Sequence, residues 1–319
     1  MTSMRSLLMI APALLVIGAA ATLPPIDRPK ILFFTKSSGY EHSVISWKKG
    51  RPSHAEAILE KLGRDHGWEF VFSKDGRIFD SPKLQEFRAI FFYTTGNLLE
   101  TGTDGNPPMS AKGKQALFEF VRSGRGFIGT HSASDTFHTA NESQKGPERF
   151  RNHGDQADAY VRFLGAEFIR HGAQQKAVNR VINPRFPGFE KVGESFEFHE
   201  EWYSLKDFSP DLHVLSVMQT TGMQGGEYQR PDFPSTWARR EGNGRVWYTS
   251  MGHREDIWEH PSFQQILVGG IGWALAEITA DTAPNLLEVA PGAMSNPAYM
   301  PPKPSAAKTK QKASANSAQ

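Results

Sequence analysis

Gly126-Phe127-Ile128-Gly129-Thr130-His131-Ser132-Ala133-Ser134-Asp135 is the stretch on which the reading of the chain turns. A short run of apolar and small residues passes without alternation into a polar cluster. That is the pattern of a strand buried on both faces that ends in a tight turn. Residues 129–133 have the shape of a strand-to-helix elbow, which lifts its central residue above the end of a sheet. The central residue is His131, so no thiol or hydroxyl nucleophile stands there. Ser132 is adjacent, but a sharp turn directs its side chain elsewhere. The elbow therefore offers an imidazole as base, acid or metal ligand.

The same kind of apolar run recurs at Ile31–Thr35, Trp68–Phe72 and Ala89–Tyr93. Between the first two, Pro52 opens a helical pattern through Ala55, Ile58, Leu59 and Leu62 that Gly63 is expected to end. Ala111–Arg122 is an amphipathic helix before the elbow strand. The order strand, helix, strand, strand, helix, strand predicts an α/β fold with a mainly parallel sheet and helices on both faces. The later half reads as strands at Val178–Ile182, Leu212–Met218, Thr236–Arg240 and Arg245–Ser250, which predicts an antiparallel extension. A closing helix is expected over Pro261–Ala276. The expected domain spans residues 28–280, with loop insertions near 97–109 and 134–155.

In such sheets ligands bind beyond the carboxyl ends of the strands. The loop after the first strand carries Tyr40 and His42, the elbow carries His131 and Asp135, and the last strand leads into Gly252-His253-Arg254-Glu255. Three strand ends thus deliver a histidine each. Two further segments hold candidates: Arg170-His171-Gly172, and Glu197-Phe198-His199-Glu200-Glu201-Trp202-Tyr203. In an extended segment His199 and Glu201 share one face and Glu200 the other. Trp202 and Tyr203 are suited to offering a sugar an apolar face and a polar tip.

The chain has 319 residues and no cysteine, which excludes disulfides, thiolate metal sites and cysteine nucleophiles. Arg5 is the only charge in residues 1–21, and four lysines are the only charges after Glu288. With a whole-chain net of +2, the residues between carry −3. That is no footprint for nucleic acid. Residues 1–21 read as a secretory signal: Arg5, an apolar run Leu7–Ile17, then Ala19-Ala20-Ala21. The mature chain is expected in the periplasm or outside the cell, without a stable membrane anchor. Residues 283–319, rich in Pro, Ala, Ser and Lys, are expected to be a disordered tail.

These pieces taken in order resemble the ThuA-like (trehalose-utilisation) family over residues 29–278. The resemblance lies in Gly39-Tyr40-Glu41-His42, in 126–135, in Leu164-Gly165 with His171, in Glu200-Glu201-Trp202-Tyr203, and in Gly244–His253. It implies a fold like that of the class I glutamine amidotransferases, a flavodoxin-like parallel sheet. Those enzymes hold cysteine in the elbow and complete a triad with a later His-x-Glu, which His253-Arg254-Glu255 resembles here. With His131 in the elbow no thiolate can form, so amidotransferase chemistry is not expected. Gly172 and His199 depart from the family pattern. The resemblance also implies a carbohydrate substrate, with a sugar dehydrogenase as a partner in the same pathway.

The reading that follows is an exported enzyme acting on a glycoside or keto sugar by isomerisation, elimination or hydrolysis. A keto group acidifies the neighbouring C–H, so such a reaction needs a base, an acid and a means of stabilising an enediolate. His131, His253, Asp135 and Glu201 are expected to be catalytic, and His42, Tyr40, Trp202, Tyr203 and Glu200 to bind substrate. A divalent zinc, manganese or iron on His131, His171 and His253 is compatible with these donors. No nucleotide cofactor is expected. Two readings from other classes stay open: a non-catalytic carbohydrate-binding protein and a metal-dependent ester or amide hydrolase.

Overall fold

The computed structural model describes residues 28–48, 52–139 and 147–296. The expected signal at 1–21 and the tail beyond residue 296 lie outside the described residues. Among the described residues, no helix is long and apolar enough to cross a membrane.

β1 (Lys30–Phe34) is apolar from Ile31 to Phe34, and all four of these residues are fully buried. α1 (His54–His66) follows, opened by a reciprocal pair in which Ser53 and Glu56 each accept the other's backbone N–H. It runs past Gly63 and closes at Gly67, whose φ of +76° suits glycine. Gly63, expected to end the helix, instead lets α1 lie close on the next strand. A Cβ there would stand 2.9 Å from the Trp68 carbonyl oxygen and 3.1 Å from the Phe70 ring. That strand is β2 (Glu69–Ser73), and β3 (Ala89–Phe92) and α2 (Ala111–Arg122) come next. β4 (Gly126–Thr130) is the elbow strand.

Both faces of β4 are covered, which explains its lack of alternation. A Cβ on Gly126 would meet Ala274 of the closing helix, and one on Gly129 would meet Leu164 of α3 (Ala159–Leu164) on the opposite face. β5 (Glu167–His171) pairs antiparallel with β8 (Tyr203–Lys206) in a separate two-stranded sheet. β6 (Gln175–Val181), β7 (Ser195–Glu200), β9 (His213–Met218), β10 (Phe233–Glu241) and β11 (Gly244–Thr249) join the main sheet. α4 (Glu255–Glu259) and α5 (Pro261–Ala274) follow.

The nine-stranded order is β2-β1-β3-β4-β11-β10-β9-β6-β7. The first five strands are mutually parallel and reproduce the 2-1-3-4-5 order of a flavodoxin-like doubly wound sheet. β10, β9, β6 and β7 extend it by antiparallel pairing. The expected α/β class is therefore the observed one.

The packed chain runs past the boundary expected near residue 283. α6 (Leu286–Val289) buries Leu286, and Ala290 and Ala293 are buried after it. The Asn285 side chain accepts from Val214 N at 2.6 Å, and Arg230 Nη2 donates to the Ala293 carbonyl at 2.7 Å. Composition alone concealed this, because a few buried side chains and backbone hydrogen bonds are enough to order a Pro/Ala-rich segment against an existing surface.

Candidate functional site

The carboxyl ends of β1, β4 and β11 lie along one edge of the sheet, and the loop or turn that follows each carries a site residue. His42 follows β1, His131 follows β4, and His253 follows β11. Glu201 arrives from the link between β7 and β8. One ligand atom from each of His42, His131, Glu201 and His253 lies within 4.8 Å of the others.

His131 opens a 3₁₀ turn (His131–Asp135) and has φ +44°, a left-handed conformation that a side chain rarely adopts. The strain is held in place from several sides. Tyr248 Oη donates to the His131 carbonyl at 2.7 Å, and Tyr160 Oη donates to the Ala133 carbonyl at 2.9 Å. His131 Nδ1 lies 3.1 Å from the Ser250 carbonyl oxygen. A carbonyl only accepts, so Nδ1 carries the proton and the Nε2 lone pair faces the cluster. His253 Nδ1 is 3.2 Å from that Nε2 and 3.0 Å from Glu201 Oε2, and Glu201 Oε2 is 3.5 Å from His131 Nε2.

Burial lowers the pKa of both His42 and His131, the former well below its ordinary value, which keeps them neutral. Burial opposes the charge on Glu201 as well. The neighbouring His131 and His253 outweigh it and hold this carboxyl well below the usual range. His253 is pushed upward by the same carboxylate, against the effect of burial. His42 Nδ1 is buried and has no hydrogen-bond partner among the described residues, and its Nε2 is 3.5 Å from Tyr203 Oη.

His42, Glu201 and His253 line a cleft of about 340 Å³ together with Tyr40, Asp135, Phe168, His171 and Tyr203, while His131 is fully buried. Tyr40 stands at the mouth, 69% exposed, with its ring edge-on to His42. Tyr203 is buried, with its ring 4.1 Å from His131 and 4.0 Å from Phe168.

Several expected roles change on this geometry. Trp202 is fully buried and donates Nε1 to the Gln175 carbonyl, so it presents no face to a sugar. Glu200 is also fully buried. Its oxygens accept the backbone N–H of Glu201 at 2.9 Å and of Gly252 at 3.0 Å, tying two site loops together rather than facing the cleft. Burial pushes its pKa up to about 7. β7 ends at Glu200, so His199 and Glu201 do not share a face: His199 is exposed, while Glu201 turns into the cluster. His171 stands outside the set of four, at the rim. Its side chain is 42% exposed, and Nδ1 lies 2.9 Å from the Gly172 carbonyl and 3.4 Å from Glu201 Oε1. The carboxylate partner of His253 is Glu201, while Glu255 accepts from Ser43 Oγ at 2.6 Å.

Sequence reasoning passed over a second constellation beside the cleft. His138 Nε2 is 2.7 Å from Asp135 Oδ1, and its Nδ1 is 2.8 Å from Glu167 Oε1. Burial disfavours the imidazolium, but the hydrogen bonds to Asp135 and Glu167 outweigh it and push the His138 pKa up to about 9 from 6.5. A pKa raised by folding stabilises fully below the unfolded value, and the stabilisation is lost as pH rises through the folded one. Stability is thus expected to fall between pH 6.5 and about 9, by up to about 3 kcal/mol. Urea unfolding of His138→Gln across that range is expected to lack the slope. An equal slope in the variant would assign it to another group.

A flavodoxin-like sheet whose elbow holds a histidine, facing two more histidines and a glutamate, defines an α/β protein with a strand-end imidazole–carboxylate site in place of a thiol nucleophile. Residues 30–274 match the family model for trehalose utilisation, ThuA, and the chain belongs to that family. Among solved structures it is similar to a ThuA-like protein from Bacteroides uniformis, at 19% identity and a TM-score of 0.56, covering 81% of this chain and 95% of that one. A ThuA-like protein from Parabacteroides merdae is similar at 18% identity and a TM-score of 0.52, covering 81% and 93%. These likenesses concern the fold. No match is found among curated proteins.

Proposed function

We propose that His42, His131, His253 and Glu201 hold a divalent metal at the floor of a carbohydrate cleft, and that the protein is an exported enzyme acting on a keto sugar or glycoside by proton transfer. The observation that carries this reading is the convergence of the four side chains, from four separate strand ends, with their ligand atoms within 4.8 Å. Two further features fit a metal. The buried His42 Nδ1 has no hydrogen-bond partner among the described residues, a costly arrangement without a purpose. His131 is fixed in its tautomer by a backbone carbonyl, as metal-ligating histidines usually are. Three imidazoles and a carboxylate suit zinc, manganese or iron.

A bound ion supplies Lewis acidity toward sugar oxygens. The chain's own residues do the rest. Glu200 holds the Glu201 and Gly252 backbones in register. Buried Phe168 and Tyr203 line the cleft, and the exposed Tyr40 offers its face to a ring at the mouth. With the three histidines and Glu201 engaged as ligands, the proton-transfer group is a cleft-wall residue outside the set. This differs from the expectation that His131 and His253 are themselves catalytic. Family membership supports a carbohydrate substrate, and the pathway partner in this reading is a dehydrogenase that makes the keto sugar.

Metal removal tests it. At free metal about a hundred times the dissociation constant, binding adds about 2.7 kcal/mol, so chelation is expected to lower Tm by about 5–10 °C. Elemental analysis of the full chain after exposure to zinc, manganese or iron(II) is expected to give close to one equivalent. No bound metal together with an unmoved Tm would overturn the metal site. Tight sugar binding with no product would favour a non-catalytic binding protein, and turnover of simple esters a hydrolase.

A further inference from the structure

We propose that Asp135 receives the substrate proton, and that His138 and Glu167 are positioning residues that hold its carboxylate at the cleft wall. This rests on the proton-transfer reading above. The candidates are the titratable groups lining the cleft outside the four ligands: Tyr40, Tyr203, His171 and Asp135. Phenols keep their proton near neutrality and are poor bases there. His171 is at the rim, with Nδ1 turned toward the Gly172 carbonyl. Asp135 is the one whose orientation the fold builds.

That construction is visible in three linked side chains. Glu167 is fully buried, and its oxygens accept from Thr139 Oγ1 at 2.7 Å and from His138 Nδ1 at 2.8 Å. His138 passes the contact on to Asp135 Oδ1 at 2.7 Å. An ionised carboxylate only accepts, so both ring nitrogens carry protons and the ring is an imidazolium between two anions. The guanidinium of Arg149 adds a favourable field at both carboxylates. Burying a carboxylate this deeply costs free energy unless it is paired. The chain does so at β5 to fix, through one ring, a carboxylate that is the common wall of two cavities. Asp135 lines both the cleft over the ligand cluster and an adjoining cavity of about 510 Å³ that contains Lys114 and Phe137.

In the step, the C–H bond beside the sugar carbonyl breaks and its proton passes to a carboxylate oxygen of Asp135. The electron pair becomes the second bond between the two carbons, and the carbonyl π pair moves onto oxygen to give an enediolate. Return of that proton to the former carbonyl carbon, with the proton of the neighbouring hydroxyl passing to the former carbonyl oxygen, completes an isomerisation without a further reactant.

The test uses the full chain and a methyl 3-keto-glucopyranoside in D₂O, reading deuterium uptake beside the carbonyl by NMR and bound metal by elemental analysis. Asp135→Asn is expected to lower kcat for exchange at least about a hundredfold, with KM within about threefold and metal content unchanged. Asp135→Glu is expected to recover part of the rate. His138→Gln and Glu167→Gln are expected to lower kcat about tenfold with KM little changed, a split that a purely structural role does not produce. Exchange by Asp135→Asn within about twofold of wild type, or its loss in His171→Ala instead, overturns the proposal alone. Lower thermal stability in His138→Gln with kcat unchanged overturns the positioning role. A wild-type chain that binds metal but exchanges no proton overturns the keto-sugar reading and this proposal together.

Discussion

Glu201→Gln is expected to abolish metal binding under conditions that saturate the wild type, and turnover with it. The substitution keeps the shape of the side chain and removes its charge, so what is lost is electrostatic. Glu201 is the only carboxylate among the four converging groups. Its Oε2 faces His253 Nδ1 at 3.0 Å and His131 Nε2 at 3.5 Å, while Oε1 faces His171 at 3.4 Å. Three neutral imidazoles alone leave the charge of a dication uncompensated at a buried site. The expected loss of affinity is at least about a thousandfold, beyond the 10–100-fold typical of removing an outer-sphere partner.

A readout free of metal accompanies this. The Glu201 carboxylate raises the His253 pKa against the effect of burial. In the metal-free variant the His253 titration, followed by NMR, is therefore expected to move to lower pH. If metal content and the His253 titration both match the wild type, Glu201 is not a ligand and the site must be rebuilt around the histidines. Glu200→Gln is a different experiment, because that side chain accepts two backbone N–H groups and touches neither ion nor sugar in this reading.

The fold was legible where burial on both faces leaves a continuous apolar run. β1, β3 and β4 announce themselves in this way, and Ala111–Arg122 is a helix with the bounds its amphipathic pattern gave. β7 carries the alternating signal of a half-buried strand. Ser195, Glu197 and His199 point outward while Phe196 and Phe198 point inward, a clear period of two. That alternation also puts Glu200 inward, where burial and two backbone donors explain a carboxylate better than a ligand does. β5 and β8 were harder, since each is short and pairs only with the other.

For the site, strand-end logic located His42, His131 and His253, because parallel strands deliver their following residues to one edge. It did not separate ligands from rim residues. His171 and Glu201 both adjoin short strands, and only the path of the chain after β7 brings Glu201 inward and leaves His171 partly exposed. The string Asp135–His138–Glu167 had no local signature at all. Glu167 is 29 residues from His138 and reaches it only because β5 returns beside the elbow.

Gly269→Ala is expected to destabilise the protein by about 3 kcal/mol and lower Tm by about 6–12 °C, although alanine is the better helix former. Gly269 and Gly270 lie inside α5, where glycine ordinarily weakens a helix. Their role is close approach. A Cβ on Gly269 would stand 2.0 Å from the Pro187 carbonyl oxygen and 2.2 Å from its carbon, and one on Gly270 would stand 2.4 Å from the Trp247 ring. Backbone cannot swing aside as a long side chain can, so α5 or the loop at Pro187 must move. The propensity gain of about 1 kcal/mol is smaller than the cost of opening that contact. Gly226→Ala serves as the control, since a Cβ there meets nothing within 4 Å, and it is expected to leave Tm within about 2 °C. The consequence reaches the site, because α5 packs on β4 and β11, the strands that end in His131 and His253. A helix displaced from those strands is expected to loosen the spacing between the two imidazoles, so metal affinity should fall in Gly269→Ala and not in Gly226→Ala. Lost stability with unchanged affinity would mean that the elbow is held by its own hydrogen bonds from Tyr248 and Tyr160, independently of the helix beneath it.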